Sequence, residues 1–368
     1  MRATQAMGEG LGNVRRTCSS RRTDQPWRNA LRRAAVVLLF VLAAPALLAA
    51  QPATDLSQVP LTFGILPIGG ASESLDAWRP TLDDMSRSLQ RPVRSISVST
   101  YEGLAEAIAE ERVDIAFVSG RLALQAVGEH RMQVVAQLTR GDGSRGYYSV
   151  LLVPKNSPIH TIADIYSKPN HWRYARGESL SMSGYLVPET QLFASHKLDS
   201  DTFFATVVVG NHQNNALAVA NNEVDVASNN TADLERFAQH FPEQYARLRV
   251  LWKSSLIPHA VIIVRDDLSP QLRAAITDFI THYAKSGRNA ASELANLKLI
   301  HDISGFAPAS NAALVPFADI DYTLDRRRAL SAQWVSDAAM QARLQKIESS
   351  HRALVKRLNA SSADSPSP

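Results

Sequence analysis

A short serine-rich segment carries the side chains best suited to binding an anion. Ser179, Ser181 and Ser183 precede Gly184, and an apolar run with helical spacing follows them. Serine side chains at a helix start accept hydrogen bonds from the unpaired backbone N–H groups there. Such a helix start, with the positive end of the helix dipole, also forms a site for a tetrahedral oxyanion. Plain N-capping is the alternative role of these serines, and the segment on its own favours it.

Two further candidates follow strands, where open α/β sheets bind their ligands. His212 comes directly after a strand and before a helix, so its ring could donate to an anion or serve only as a capping or solvated group. Tyr101 opens a helix after a strand that ends near Ser99, and its phenol could reach the same crevice or pack in the core. Position alone leaves both alternatives open.

Motifs for enzymes and cofactors are weak or absent. Gly141–Gly146 matches the dinucleotide motif G-x-G-x-x-G, but a strand follows it where that motif needs a helix, so we expect no NAD. Gly177–Ser181 lacks the last glycine of the hydrolase motif G-x-S-x-G. The chain contains no H-x-x-x-H, H-E-x-x-H or P-loop sequence. The sequence therefore predicts no metal, no cofactor and no catalytic residue.

The first fifty residues have the composition of a secretory signal peptide. They contain eight arginines and two acids and end in the 17-residue uncharged run Ala34–Ala50. We expect cleavage after Ala50 or close to it. An uncleaved membrane anchor is the alternative, because 17 residues are near the shortest length that spans a bilayer.

Loss of this segment changes the charge of the protein. Without residues 1–50, Lys plus Arg falls from 39 to 31, Asp plus Glu falls from 35 to 33, and Cys18, the single cysteine, is lost. The net charge of +4 therefore becomes about −2. Nucleic acid is then not an expected partner, since its binding proteins are basic.

Strands and helices alternate along the rest of the chain, which is typical of an α/β fold with a largely parallel sheet. A second α/β block follows the first, and the apolar run Leu256–Val264 then returns to the first block. We expect two lobes, of which one is inserted into the other. The predicted divisions are a signal peptide at 1–50, lobe 1 at 51–150 and 257–320, lobe 2 at 151–256, C-terminal helices at 321–359 and a disordered tail at 360–368.

Several segments in this order resemble the phosphonate-binding PhnD family, the periplasmic solute receptors of ABC transporters. The similarity runs from about residue 60 to about residue 320. The segments that carry it are Tyr101–Gly103, Val113–Ser119, Gly146–Val150, Ser181–Pro188, Gly210–His212, Ala218–Asn221, Trp252–Ser254 and Ile257–Pro258.

This resemblance implies a type II periplasmic-binding-protein fold, in which two α/β lobes are joined by a two-segment hinge. The hinge segments would lie near Val150–Pro154 and Leu256–His259. It also implies that a phosphonate or related phosphorus oxyanion, such as phosphite or phosphate, binds between the lobes and is delivered to a membrane permease. The mature protein would be soluble in the periplasm.

The family's Ser-Thr-Ser-Gly phosphorus-binding turn corresponds here to Ser181, Met182, Ser183 and Gly184. The resemblance also assigns Tyr101, Tyr147 and His212 to ligand binding. Met182 departs from the family pattern, because a thioether replaces a hydroxyl donor and one hydrogen bond of about 1–3 kcal/mol is lost.

A second departure concerns selectivity. Family members that bind aminoalkylphosphonates place acids directly after Asn-Asn-Thr and after Ile-Pro, where this chain has Ala232 and the pair His259–Ala260. Asp233 follows one position late, which rotates it by about 100° on a helix. We therefore expect that 2-aminoethylphosphonate is not the preferred ligand, and that phosphite, methylphosphonate, phosphate or another organophosphonate is.

We expect the protein to be a transport receptor and not an enzyme. A sensory module of the same fold, feeding a membrane signalling protein, is the alternative, since it would have the same cleft. An enzyme would need a reactive nucleophile or a metal cluster, and the chain after residue 50 has no cysteine and only scattered histidines.

Overall fold

The computed structural model describes residues 59–68, 70–300 and 303–360, which form eleven strands in two sheets. The predicted signal peptide lies outside the described residues, as does the predicted tail beyond residue 360. The strands are β1 Leu61–Ile65, β2 Val93–Ser97, β3 Ile115–Val118, β4 Met132–Arg140, β5 Gly146–Pro154, β6 Arg173–Arg176, β7 Thr206–Val209, β8 Val226–Asn230, β9 Leu248–Pro258, β10 Val261–Arg265 and β11 Ile303–Pro308.

Helices connect most of the strands and cover the sheets. They are α1 Ala71–Leu89, α2 Tyr101–Ala109, α3 Gly120–Glu129, α4 Ile162–Tyr166, α5 Ser200–Phe203, α6 His212–Ala220, α7 Thr231–His240, α8 Pro242–Tyr245, α9 Pro270–His282, α10 Ala290–Leu299, α11 Val315–Ser331 and α12 Asp337–Ala360. Two π-helical turns, Met182–Leu186 and Glu189–Phe193, and the 3₁₀ turns Ala194–His196 and Asn311–Leu314 complete the secondary structure of the described residues.

The first lobe is built on a six-stranded sheet in the order β11-β4-β10-β3-β1-β2. Strand β1 pairs in parallel with β2 and β3, whereas β10 runs antiparallel to β3 and β4, and β11 runs antiparallel to β4. Buried aromatic rings fill the layer between this sheet and α1. Trp78 lies at the centre of that layer, with its ring 4.9 Å from Phe63 and 5.2 Å from Phe117.

The second lobe is built on a five-stranded sheet in the order β7-β6-β8-β5-β9. Strand β6 pairs in parallel with β7 and β8, and β5 runs antiparallel to β8 and β9. Both sheets are therefore mixed, and the largely parallel sheet predicted from the strand–helix alternation is wrong in this respect. Alternation reports where strands and helices lie, but it does not report the direction in which a returning strand enters the sheet.

The chain crosses between the two sheets at residues 141–145, after β4, and again at residues 259–260, after β9. The predicted second hinge segment adjoins the second crossing. The predicted first segment, Val150–Pro154, is misplaced, because those residues pair with β8 and β9 inside the second sheet. Gly146 begins β5 beside the second crossing, and a Cβ atom there would lie 2.1 Å from the carbonyl oxygen of Ile257, so this position accepts only glycine.

The C-terminal region contains two helices. Helix α11 ends at Ser331 and α12 begins at Asp337, so Trp334 lies in the connection between them. Helix α11 packs on α3 of the first lobe and on the π-helical turns of the second. Its Arg328 lies 3.7 Å from Glu189 and donates to the Tyr185 hydroxyl at 2.7 Å. Helix α11 therefore bridges the two lobes.

Candidate functional site

A cavity of about 80 Å³ lies between the two sheets, close to both crossings. A single buried water needs about 10–15 Å³, so the cavity has room for a ligand of several non-hydrogen atoms. Six of the seven predicted site residues line it: Tyr101, Tyr147, Ser181, Met182, Ser183 and His212. Gly184, the seventh, is not among the lining residues.

Three helix starts at this cavity are fixed by capping side chains. Thr100 accepts from the Gly103 N–H at the start of α2, and Asn211 accepts from the Asn214 N–H at the start of α6, at 3.0 and 2.8 Å. Asn230 caps α7. The residue after each cap stands in the first turn of its helix. This placement brings Tyr101 and His212 to the cavity wall and directs several positive helix ends toward one volume, as an anion requires.

The serine turn begins in the same way. The Ser181 hydroxyl oxygen accepts from the Gly184 N–H at 3.1 Å, so its own hydrogen remains available to another acceptor. The Leu186 N–H bonds the Ser181 carbonyl at 3.0 Å, which makes this turn a π-helical one. Wide turns of this kind occur often at functional sites.

Gly184 has a packing role in this turn. Its carbonyl accepts from the Gly177 N–H at 2.9 Å and from the Ser228 hydroxyl at 2.6 Å. A Cβ atom on Gly184 would lie 2.8 Å from the Gly177 Cα, closer than real Cβ contacts allow. The glycine thus lets two backbone segments approach behind the cavity, and that approach holds Ser181 and Ser183 in the wall.

Ser183 belongs to a polar group at the base of the cavity. Its hydroxyl lies 3.2 Å from His212 Nε2 and accepts from Asn230 Nδ2 at 3.3 Å. The same amide nitrogen donates to Asp233 Oδ2 at 2.5 Å, and His212 Nε2 lies 3.8 Å from that oxygen. Asn230 also accepts from the Asp233 N–H at 2.9 Å. The serine and the carboxylate are therefore held in fixed relation by one cap residue, and His212 faces both of them.

This group does not have the geometry of a hydrolase. A Ser-His-Asp relay needs the serine on one imidazole nitrogen and the carboxylate on the other. Here Ser183 and Asp233 both face His212 Nε2. The arrangement can bind and orient an anion, but it does not make Ser183 a nucleophile.

Both cavity tyrosines stay protonated. Burial raises the pKa of Tyr101 well above its usual value, and the nearby Asp233 carboxylate raises it further. The same two causes, in the same order, raise the pKa of Tyr147. Ser181 beside the Tyr101 phenol, and Ser183 beside the Tyr147 phenol, oppose this rise in pKa. Each phenol can therefore act as a neutral donor beside a serine hydroxyl.

Five polar lining residues were absent from the predicted site: Ser119, Arg140, Asn230, Asp233 and His259. Arg140 stands at the end of β4, and Ser119 directly follows β3, so the rule that placed His212 would also have selected them. Asp233 was expected to face away from the site, and that expectation is wrong. A ligand near a helix N-terminus lies close to the helix axis, so a rotation of about 100° does not remove the next residue from the wall. Ala232 and Asp233 both line the cavity.

His259 is a further lining residue, and it lies at the second crossing. Its ring stacks on Tyr147 with an interplanar angle of 13°, and its Nε2 lies 3.3 Å from the Ser144 carbonyl in the first crossing. Burial lowers the pKa of His259, so the ring is neutral near pH 7. His259 thus joins the cavity wall to both crossings.

One rim of the cleft is closed by a segment that we name the latch, residues Gly177–Leu180 of the second lobe. Glu178 accepts from the Tyr101 N–H at 2.8 Å, and Ser179 donates to Glu102 at 2.8 Å. The Ser179 carbonyl accepts from Arg121 at 2.6 Å, and the Leu180 carbonyl accepts from Ser119 at 3.1 Å. The latch therefore bonds the first turns of two helices in the opposite lobe.

The opposite rim is closed by ion pairs. Arg140 of the first lobe meets Glu235 of α7 at 2.7 Å, and Arg236 of α7 pairs with Glu73 of α1. With the latch, these pairs enclose the cavity on two sides. The structure therefore represents a closed arrangement of the lobes.

Searches for other kinds of site gave negative results within residues 59–68, 70–300 and 303–360. No group of three or more His, Cys, Asp and Glu side chains there is arranged to hold a metal ion. None of the helices in this part of the chain combines the length and apolar character needed to cross a bilayer.

Comparison with known proteins gave consistent matches. A family model described as "ABC transporter, phosphonate, periplasmic substrate-binding protein" matches residues 63–314. The phosphonates-binding periplasmic protein of Escherichia coli is 36% identical over 263 residues, which cover 71% of this chain and 75% of that protein.

Solved structures agree with this result. The binding protein component of an ABC phosphonate transporter from Pseudomonas aeruginosa superimposes with a TM-score of 0.76 at 29% identity, covering 82% of this chain and 99% of the other. PhnD1 of Prochlorococcus marinus, solved with methylphosphonate, has a TM-score of 0.62 at 18% identity, covering 72% of this chain and 98% of the other. At that identity the second match establishes the shared fold only, the two-lobed type II periplasmic-binding fold expected from the sequence.

Proposed function

The chain belongs to the family of periplasmic substrate-binding proteins of phosphonate ABC transporters, and from this membership we propose how its cavity binds the ligand. The protein is a periplasmic receptor that binds a phosphonate or related phosphorus oxyanion between its lobes and delivers it to a membrane permease. It is a binding protein and not an enzyme.

The convergence of neutral donors on one cavity is the observation that supports this assignment most directly. Ser181, Ser183, Tyr101 and Tyr147 present hydroxyl groups to a shared volume, and His212 presents its ring. Because the phenols are protonated and the serine hydroxyls can rotate, each group can donate to an oxygen of the ligand. Hydrogen bonds to a charged acceptor contribute about 1.5–3 kcal/mol each. A few such bonds account for tight binding of a small anion.

The apolar part of the wall fits a small substituent. Its members are Leu66, Ile68, Phe117, Leu138 and Ile303. Such a surface suits hydrogen or a short alkyl group on phosphorus, since an apolar wall gives no partner to a charged substituent. We therefore favour phosphite and short alkylphosphonates as ligands.

Selectivity against 2-aminoethylphosphonate remains a prediction. It is supported by Ala232, His259 and Ala260, which line the cavity at the two positions where related proteins carry acids. Asp233 no longer supports it, because its carboxylate does reach the cavity. If 2-aminoethylphosphonate bound more tightly than methylphosphonate, this part of the proposal would be overturned.

A ligand panel tests the proposal. We expect phosphite or methylphosphonate, at about 100 times its dissociation constant, to increase the free energy of unfolding by about 2.7 kcal/mol. The measurement is a thermal shift of the purified protein, followed by calorimetric titration of each positive ligand. Sulfate, succinate and glycine serve as controls. If no phosphorus oxyanion raises the melting temperature, the assignment of this cavity fails.

A further inference from the structure

The Asp233 carboxylate lies at the oxyanion end of the cavity. Asn230 Nδ2 contacts both Asp233 Oδ2, at 2.5 Å, and the Ser183 hydroxyl, at 3.3 Å. His212 Nε2 also faces both oxygens, at 3.8 and 3.2 Å. Asp233 therefore stands next to the serine turn.

The same carboxylate acts on both cavity tyrosines. The charge of Asp233 raises the pKa of the Tyr101 and Tyr147 phenols, and Ser181 and Ser183 oppose that rise. An anion bound by these four hydroxyls thus has a carboxylate as its neighbour. The Asp233 side chain is 15% exposed, so solvent screens that contact only weakly.

An ionised carboxylate can only accept hydrogen bonds. Next to a fully ionised oxyanion it would produce repulsion between like charges, which is strong when solvent is excluded. A protonated oxygen on the ligand converts this repulsion into a short charge-assisted hydrogen bond. The arrangement thus distinguishes oxyanions that carry a proton from those that do not.

We propose that Asp233 accepts a hydrogen bond from a P–OH group of the bound ligand, so that the site selects the singly protonated phosphorus oxyanion and rejects fully ionised anions of the same shape. This inference rests on the proposed function. Asp233 then determines specificity. The hydroxyls and His212 bind two oxygens of the ligand, and Asp233 accepts a hydrogen bond from the third oxygen only when that oxygen is protonated.

The other charged and titratable groups around Asp233 are compatible with this role. His212 and the two tyrosines face it from α6, α2 and β5, and Arg140 and His259 line the same cavity. Arg140 is paired with Glu235 at 2.7 Å. Glu235, which lies outside the cavity, therefore partly neutralises the charge of Arg140. The negative charge of Asp233 still acts on the ligand.

A comparison of two ligands tests the role of the proton on the ligand oxygen. Methylphosphonate monoanion and methanesulfonate have the same charge and nearly the same shape, but only the first carries a hydrogen on oxygen. We expect the wild-type protein to bind methylphosphonate at least about 100-fold more tightly near pH 6. Above the second ionisation of methylphosphonate, its affinity should fall by about tenfold per pH unit, because one bound proton is required. Calorimetric titration between pH 5.5 and 9 gives both values.

The variant Asp233→Asn should remove the discrimination. Its amide keeps an oxygen as acceptor for Asn230 and adds a donor toward the ligand, so methanesulfonate should gain affinity and the dependence on pH should flatten. Glu243→Gln is the matched control, since it removes one negative charge from exposed α8 outside the cavity. Melting temperatures of both variants verify that the fold is intact.

The outcomes separate the two proposals. If wild-type protein binds no phosphorus oxyanion, the proposed function fails and this inference fails with it. If methylphosphonate binds, but Asp233→Asn leaves both the sulfonate discrimination and the pH slope unchanged, only the inference is overturned. The same holds if Asp233→Asn weakens 2-aminoethylphosphonate alone, because the carboxylate would then recognise an ammonium group.

Discussion

At the scale of single residues, the site uses neutral donors where a basic protein would use charge. The hydroxyls of Ser181 and Ser183 and the two phenols have fixed directions, because caps and buried carbonyl contacts hold their backbone. Ser149, for example, donates to the Ser183 carbonyl at 2.6 Å. Met182 interrupts this pattern with a side chain that is 1% exposed and joins the core of the first lobe. The lost hydroxyl is thereby exchanged for apolar contact across the cleft.

Ser183→Ala tests the serine turn at this scale. The change removes a hydroxyl that Asn230 and His212 both contact, so we expect ligand affinity to fall by about 10- to 100-fold, which corresponds to about 1.5–3 kcal/mol. Calorimetric titration with methylphosphonate measures it. Ser195→Ala is the control, since Ser195 bonds only nearby groups of its own turn in the same lobe. Equal affinity of the two variants would remove Ser183 from the site.

Much of this site could be predicted from the sequence, because the ends of strands and the starts of helices have recognisable local residue patterns. Tyr101 and His212 each follow a cap residue, and the serine turn contains its own cap, so short patterns located all of them. Asp233 was misjudged because helical rotation is a poor guide in a first turn. Glu178 had no local signal, since its partner Tyr101 is 77 residues away in the chain and the contact exists only when the lobes meet.

At the scale of elements, the latch connects ligand binding to closure. Its last residue, Leu180, directly precedes Ser181, and its Glu178 bonds the first turn of the helix that carries Tyr101. Burial, and next the neighbouring Glu102, raise the pKa of Glu178 to about 7. Because this contact joins the two lobes, opening them would expose Glu178 and return its pKa toward the usual value of 4.5. The protonated carboxyl therefore favours the closed lobes.

The sign of this effect gives a prediction for Glu178→Gln. Because the raised pKa belongs to the closed state, closure is favoured below about pH 4.5 and loses stability as the pH rises through about 7. Dissociation of bound ligand should therefore accelerate between pH 5 and pH 8 in the wild-type protein, and the neutral amide should remove most of that change.

Stopped-flow displacement of bound ligand measures the rate. Glu106→Gln, an exposed change on the same helix as Glu102, is the control and should retain the wild-type profile. Identical pH profiles for wild type and Glu178→Gln would refute a role for the latch. The slope assigned to Asp233 lies at higher pH and persists in Glu178→Gln, so the two effects can be separated.

At the scale of the whole molecule, the fold class and the return of the chain to the first lobe were predictable, but the sheet directions and one crossing were not. Antiparallel entry of β10 and β11 depends on pairing with β4, far away in sequence. The apolar run Leu256–Val264 was predicted to return to the first lobe as a unit. It is instead broken at residues 259–260, because the two halves pair in different sheets.

At this scale we expect the two lobes to close when the ligand binds. Asp76 and Gln239 are exposed and lie one turn beyond Glu73 and Arg236, which pair across the rim. Fluorophores attached through Asp76→Cys and Gln239→Cys, in a Cys18→Ser background, should show increased energy transfer when methylphosphonate is added. Succinate is the control ligand and should have no effect. Unchanged transfer at saturating methylphosphonate would show that binding does not move the lobes.

The two crossings have different lengths, and this difference determines how the protein can move. Residues 259–260 contribute about four soft torsions, whereas residues 141–145 contribute about ten. The shorter crossing therefore acts as the pivot, and the longer one has enough free torsions to follow the rotation. The pivot includes His259, whose ring is part of the cavity wall. Rotation about an axis so close to the ligand displaces the adjoining wall less than it displaces the parts of the cleft that lie farther from the crossing.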